Sequence, residues 1–117
     1  MNADELKTRT KQFALRIMKL IDALPSTQSG RAIANQLVRS GTSVGANYRA
    51  ACRGRSKREF VAKLGTVEEE ADECGYWLEL IIDGNLLNKD RVEPLLNESQ
   101  ELTRIMASSR LTASKGS

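Results

Sequence analysis

The sequence predicts an all-α protein that folds as an up-and-down antiparallel four-helix bundle. Eight glycines and two prolines in 117 residues are too few turn signals for a β-sandwich or barrel. β-branched residues are sparse beside Ala, Leu, Glu, Arg and Lys. Four apolar stripes at helical spacing lie between short connections, and a bundle buries them together. We expect one domain over residues 1–111 and a disordered tail over residues 112–117.

The first predicted helix covers about residues 4–24. Its apolar residues recur in steps of three and four and form one stripe: Leu6, Phe13, Ile17, Leu20, Ile21 and Leu24. Pro25 ends the helix because proline cannot continue the hydrogen-bond ladder. The candidate N-caps of the second helix follow at once: Ser26, Thr27 and Ser29.

The second predicted helix extends to about Gly54 and has an unusual middle. Gly41 and Gly45 each cost about 1 kcal/mol relative to alanine in a helix, so tertiary packing must compensate. The two glycines lie one turn apart and have no Cβ, so a neighbouring helix can pack against the backbone. We expect the acid-rich third helix to be that neighbour. A kink or break at the glycines is the alternative.

The third helix has the most regular pattern in the chain. Ser56 and Glu59 form a Ser-x-x-Glu capping box that opens it. Its apolar residues alternate in steps of four and three, as in a bundle seam: Phe60, Leu64, Val67, Ala71, Cys74, Leu78 and Ile81. Gly84 then supplies a C-terminal stop.

The fourth helix carries a proline near its start. Asn88 is a candidate cap. Either the helix begins near Lys89 and kinks at Pro94, or it begins at Pro94 and leaves Val92 outside. Its core-facing residues are Leu95, Leu96, Leu102, Ile105 and Met106.

The absence of histidine excludes most enzyme chemistry. Nucleophiles activated by imidazole, zinc sites with histidine ligands and histidine-containing di-iron sites are all ruled out. Cys52 and Cys74 are separated by twenty-one residues, which suits two reduced core thiols rather than a redox pair. We therefore expect no enzyme activity, no metal and no cofactor. A metal or acid–base site built on Glu70 and Glu73 is the alternative.

The lengths of the apolar segments and the N-terminal residues bear on the expected cellular location of the protein. No run of 18 or more apolar residues occurs, and the N-terminus lacks the pattern of a secretion signal. We expect a cytoplasmic protein that does not enter a membrane.

Charge is unevenly distributed along the chain. Residues 1–63 hold thirteen basic and four acidic side chains, whereas residues 64–117 hold five basic and eleven acidic ones. A dense basic cluster is the candidate nucleic-acid-binding site: Arg49, Arg53, Arg55, Lys57, Arg58 and Lys63. A solvated surface is the alternative. Aromatic residues are too few to predict a platform for stacking bases.

Polar residues in the middle of the second and third helices predict a cross-helix network. Arg39, Ser43 and Asn47 follow one another at one-turn intervals, and Glu70 and Glu73 share a face of the third helix. We expect Glu70 or Glu73 to bond Arg39 and Asn47, which would fix the register of the two helices. Trp77 lies beside the apolar seam of this helix, and we expect it at a helix interface or subunit contact.

Three segments resemble the four-helix-bundle proteins encoded within intervening sequences of bacterial 23S ribosomal RNA genes. The first is Gln-Leu-Val-Arg-Ser-Gly-Thr-Ser-Val-Gly-Ala-Asn-Tyr at residues 36–48. The second is Arg-Glu-Phe at residues 58–60 with Lys63, and the third comprises the acidic residues 69, 70 and 73 with Tyr-Trp-Leu at 76–78. Ala50 departs from the pattern, in which an acidic residue often precedes the next alanine.

The resemblance implies a ring-like homo-oligomer, a pentamer, with no known enzymatic activity. It also implies similarity to accessory proteins of diversity-generating retroelements, which bind nucleic acid and contact a reverse transcriptase. The leading hypothesis is a non-enzymatic oligomer that binds structured RNA, or DNA, through its basic cluster. The alternative is a protein-interaction scaffold or accessory subunit that does not bind nucleic acid directly.

Overall fold

The computed structural model describes residues 1–115 and consists of four helices. These are α1 (Ala3–Ile21), α2 (Gln28–Cys52), α3 (Lys57–Asp83) and α4 (Lys89–Lys115). Each helix packs against the next along the chain, and α4 also contacts α1, so the four surround one core. The bundle measures 49 × 20 × 20 Å. The predicted all-α four-helix bundle is confirmed.

Every helix begins at a residue whose side chain caps the first turn, which satisfies backbone N–H groups that lack intrahelical partners. The four caps are Asn2, Thr27, Ser56 and Asn88. At α3 the predicted capping box differs in one bond. Ser56 Oγ accepts from the Glu59 N–H at 3.1 Å, but the Glu59 carboxylate accepts from the N–H of Arg55, at 3.0 Å, rather than from that of Ser56.

The end of α3 is a Schellman motif, in which two backbone bonds close the last turn around a left-handed residue. The Leu86 N–H donates to the Ile81 carbonyl and the Asn85 N–H donates to the Ile82 carbonyl, both at 3.0 Å. Gly84 stops the helix as predicted, but it keeps a right-handed conformation. Asn85, with φ of 56°, is the left-handed residue.

Helix α4 is longer at both ends than a helix from Pro94 to Leu111 would be. It begins at Lys89 and includes Pro94, and Val92 is fully buried, so the alternative that left Val92 outside is wrong. The helix also runs through Lys115, into the segment expected to be a disordered tail, because neither glycine nor proline interrupts residues 112–115. The expected tail's last two residues, 116 and 117, lie outside the described residues.

The core follows the apolar stripes of the sequence. In α3 the predicted seam residues are buried without exposure to solvent, except Phe60, which is half-buried at the edge. Phe13 and Ile17 of α1 and Leu102 and Met106 of α4 fill the same core. Helix α1 ends at Ile21, earlier than expected, and Leu24 packs on the core from the connection.

The glycines of α2 contact α1, not α3, and this corrects the expected partner. Helix α2 is continuous through both positions, so it has no break. A Cβ added at Gly41 would lie 3.0 Å from Ile17 Cγ2, and one added at Gly45 would lie 3.3 Å from Thr10 Oγ1. Close approach to α1 therefore explains why glycine is tolerated in the middle of a long helix.

The α2 residue next to Gly41 faces α3 instead. Ser40 is fully buried, and the Cys74 thiol donates to its hydroxyl at 3.3 Å. Burial raises the pKa of the Cys74 thiol to about 12, so the thiol stays protonated. Both cysteines are free thiols, with Cys52 half-buried and Cys74 buried.

Candidate nucleic-acid interface

The six basic residues predicted as the candidate site lie at or near one end of the bundle. One lies in the last turn of α2, two lie in the connection that follows, and three belong to the first two turns of α3. All six are exposed: Arg49, Arg53, Arg55, Lys57, Arg58 and Lys63. We refer to these six residues as the basic end.

The side chains of the basic end are free of acidic partners. Within residues 1–115, none of the six forms an ion pair within 4.0 Å, although Arg9, Arg39 and Arg110 do so elsewhere. Glu59 is the nearest acidic residue in sequence, and its carboxylate bonds the backbone N–H of Arg55 instead. The basic end therefore presents cations that no carboxylate of the described residues pairs with.

A groove between α1 and α2 extends this positive surface. Lys7 and Lys11 of α1 line it opposite Arg49 of α2 and Arg53, the residue just after that helix, and its volume is about 740 Å³. These two lysines were not among the residues predicted to form the site. Their spacing of one helical turn and their position off the apolar stripe were visible, but nothing in the sequence indicated which helix lies beside them.

Arg39 joins the two acidic residues predicted to face it. Its guanidinium donates to Glu70 at 3.2 Å and also to Glu73, whose carboxylate accepts a further bond from the Trp77 indole N–H at 3.0 Å. The Trp77 bond and then the Arg39 bond lower the pKa of Glu73. The bond to Glu73 raises the pKa of Arg39. Helices α2 and α3 are thus linked at mid-height.

Asn47 and Ser43 do not take part in this link, which corrects the predicted network. The Asn47 side-chain amide donates to the Ser43 carbonyl at 2.9 Å, and the Ser43 hydroxyl donates to the Arg39 carbonyl at 2.8 Å. Short polar side chains in a helix readily bond the backbone one turn back, because that carbonyl is always within reach.

We expect Arg39→Ala to lower the urea midpoint of unfolding slightly, since Arg39 is exposed and water screens its ion pairs. The loss should be present above the ordinary glutamate pKa of 4.5, and it should vanish as the pH falls through the lowered pKa of Glu73. Arg104→Ala is the matched control, because Arg104 pairs only with Glu101 of its own helix. Equal midpoints for the two variants at pH 7 would show that Arg39 does not link the helices.

Trp77 is half-buried against the core, and its ring meets Tyr76 edge to face at 5.2 Å. Tyr76 itself is 55% exposed. In the part of the chain that is described, no three cysteine or acidic side chains come close enough together to hold a metal ion. None of the helices in residues 1–115 combines the length and apolar character needed to span a membrane.

A family model and a solved structure of known proteins both match this chain over most of its length. The family model described as 23S rRNA-intervening sequence protein matches residues 4–108. The chain is also similar to a crystal structure of a protein of unknown function from the S23 ribosomal protein family of Bacteroides thetaiotaomicron, with 35% identity and a TM-score of 0.83. That match covers 90% of this chain and 97% of the other. No curated protein matches. The chain therefore belongs to the 23S rRNA-intervening sequence protein family.

Proposed function

We propose that this protein is a non-enzymatic nucleic-acid-binding protein whose basic end contacts the phosphates of structured RNA. The observation that carries the proposal is that all six cations of the basic end are exposed and none is paired with an acidic side chain in residues 1–115. Cations of this kind displace the counterions condensed on a polynucleotide, which supplies most of the affinity in sequence-independent binding. The family's description names 23S rRNA, so segments of that RNA are the first ligands to test.

The proposal includes assembly into a ring-like homo-oligomer, a pentamer as the family resemblance implies. Four large apolar side chains are about half exposed, and such residues suit subunit contacts: Leu15, Met18, Tyr76 and Leu111. Symmetry would place several basic ends on one particle and raise their effective concentration at the RNA. Light scattering should give a molar mass five times that of one chain, and the mass of a monomer would contradict assembly.

Fluorescence anisotropy with a structured RNA tests the binding proposal. We expect binding near ~50 mM salt that weakens steeply by ~200 mM. The variant Arg55→Gln/Lys57→Gln/Arg58→Gln should bind more weakly. If each of the three residues contacts one phosphate, the slope of log affinity against log salt should be smaller in magnitude for the variant than for the unmodified protein by about 2 to 3.

The matched control removes the same charge from the opposite end of the bundle. It is Arg16→Gln/Lys19→Gln/Arg91→Gln, whose residues line a separate groove between α1 and α4. We expect its affinity to stay close to that of the unmodified protein. The absence of binding near ~50 mM salt, or equal losses in both triple variants, would refute the proposal.

A protein-interaction scaffold is the second candidate, and the groove between α3 and α4 favours it. Asp72 and Glu79 line this groove together with the exposed ring of Tyr76, and aromatic residues are enriched at protein interfaces. Under this candidate, Arg53→Glu/Arg55→Glu should disturb assembly or partner capture while RNA affinity is absent from the start. Light scattering of that variant beside the anisotropy assay separates the two candidates.

A further inference from the structure

The seams between neighbouring helices differ in their ion pairs. Three of the four seams carry an Arg–Glu pair between helices: Arg9–Glu98 joins α1 and α4, Arg39–Glu70 joins α2 and α3, and Arg110–Glu68 joins α3 and α4. Across residues 1–115 the α1–α2 seam has no such pair. It is held by apolar packing and by the close approach at Gly41 and Gly45.

The α1–α2 seam instead concentrates positive charge. Lys7 and Lys11 line one side of its groove, Arg49 and Arg53 line the other, and no carboxylate lies in the lining. Each pair is one helical turn apart, so each side presents a cation about every 6 Å along the helix. Like charges facing each other across a groove repel, and in residues 1–115 none of these four cations forms an ion pair that would offset the repulsion.

The floor of this groove is neutral, since Gly45 and Thr10 meet there. Gly45 has no Cβ, which lets α1 approach α2 there. Thr10 is fully buried, and its hydroxyl already donates to the Leu6 carbonyl at 2.8 Å. On the α2 side, the small exposed residue Ala46 lies between Thr42 and Arg49 in the lining of the groove. An anionic polymer can therefore lie in the groove, where the cations on both sides attract it.

We infer that the α1–α2 groove holds the phosphodiester backbone of the bound nucleic acid. This inference rests on the proposed function and adds the path of the ligand. The backbone runs between Lys7 and Lys11 on one side and Arg49 and Arg53 on the other, and it continues to the basic end. A polyanion in this position neutralises the repulsion across the seam, which a small neutral ligand or an apolar peptide would leave in place.

Two variants test this path with the same structured RNA and the anisotropy assay. Lys7→Gln/Lys11→Gln should weaken binding and lower the salt slope by about 1.4 for a single strand or 1.8 for a duplex. Ala46→Leu fills the groove without changing net charge and should also weaken binding. Ala32→Leu is its control, because Ala32 is exposed near the opposite end of the same helix. Circular dichroism should confirm that all three variants keep their helical content.

The outcomes separate this inference from the proposed function. Loss of affinity in both groove variants, with Ala32→Leu unaffected, supports the path. If Arg55→Gln/Lys57→Gln/Arg58→Gln loses affinity while both groove variants bind normally, the path is wrong and the proposed function stands. If Ala46→Leu changes the molar mass in light scattering and leaves RNA affinity intact, the groove holds a second copy of the chain, and the path is likewise wrong.

Discussion

Replacing Gly41 with leucine is expected to lower the free energy of unfolding by about 2 kcal/mol or more, because overpacking outweighs a helix-propensity gain of about 1 kcal/mol. A Cβ at this position would lie 3.0 to 3.3 Å from three atoms of Ile17, a fully buried residue of α1. The rest of a leucine side chain has no free space there. Urea unfolding at a fixed protein concentration measures the change.

Two further variants identify the cause of the Gly41→Leu effect. Gly65→Ala should stabilise the protein by about 0.5 to 1 kcal/mol, because alanine is the better helix former. The nearest side-chain atom to its new Cβ would be Arg110 Cδ, at 3.7 Å. Adding Ile17→Ala to Gly41→Leu should recover part of the stability lost. A Gly41→Leu protein as stable as the unmodified chain would show that α1 does not pack against α2 at this position.

Replacing Leu78 with alanine is expected to cost about 2 to 5 kcal/mol, a large part of the stability of a domain this size. Leu78 lies in the α3 seam and is fully buried, as are Cys74 and Ile81 on either side of it. The truncation removes apolar contact and leaves a cavity that the rigid neighbouring helices cannot close. Thermal and urea unfolding should both report the loss.

The matched control for Leu78→Ala is Gln12→Ala. Gln12 is exposed on α1 and is not among the apolar side chains proposed for subunit contacts, so this change should alter the free energy of unfolding by about 0.5 kcal/mol or less. If Gln12→Ala costs as much as Leu78→Ala, the loss does not come from a cavity at the α3 seam.

Features that depend on neighbours in sequence could be predicted. The α3 seam and the caps at Thr27, Ser56 and Asn88 follow from spacing and residue type within a few positions. The contact of Arg39 with Glu70 also followed, because antiparallel neighbours joined by a short connection have a nearly fixed register.

Features that depend on which helix faces which could not be predicted. The spacing of Gly41 and Gly45 indicates close packing but is equally compatible with α1 and α3 as the partner. Lys7 and Lys11 gain significance only once α1 is placed beside Arg49 and Arg53. Periodicity gives the face of each helix and leaves open which neighbour covers it.

Sequence also could not tell the paired arginines from the free ones. Arg39 lies within α2 and Arg53 directly follows its last residue, yet Arg39 bonds two carboxylates and Arg53 bonds none in the described residues. The difference arises because Glu59, the acidic residue in the first turn of α3, bonds the Arg55 backbone N–H, and the next acidic residue of α3 is Glu68, about two and a half turns further on. Only the three-dimensional arrangement shows that the basic end remains uncompensated.

The central claim, that the basic end contacts nucleic acid, is tested most directly by ultraviolet crosslinking of the protein to RNA and mass spectrometry of the crosslinked peptides. We predict crosslinks in peptides from residues 46–63, and in those from residues 3–11 along the α1–α2 groove. Crosslinks confined to the acidic middle of α3, at residues 68–73, would contradict it.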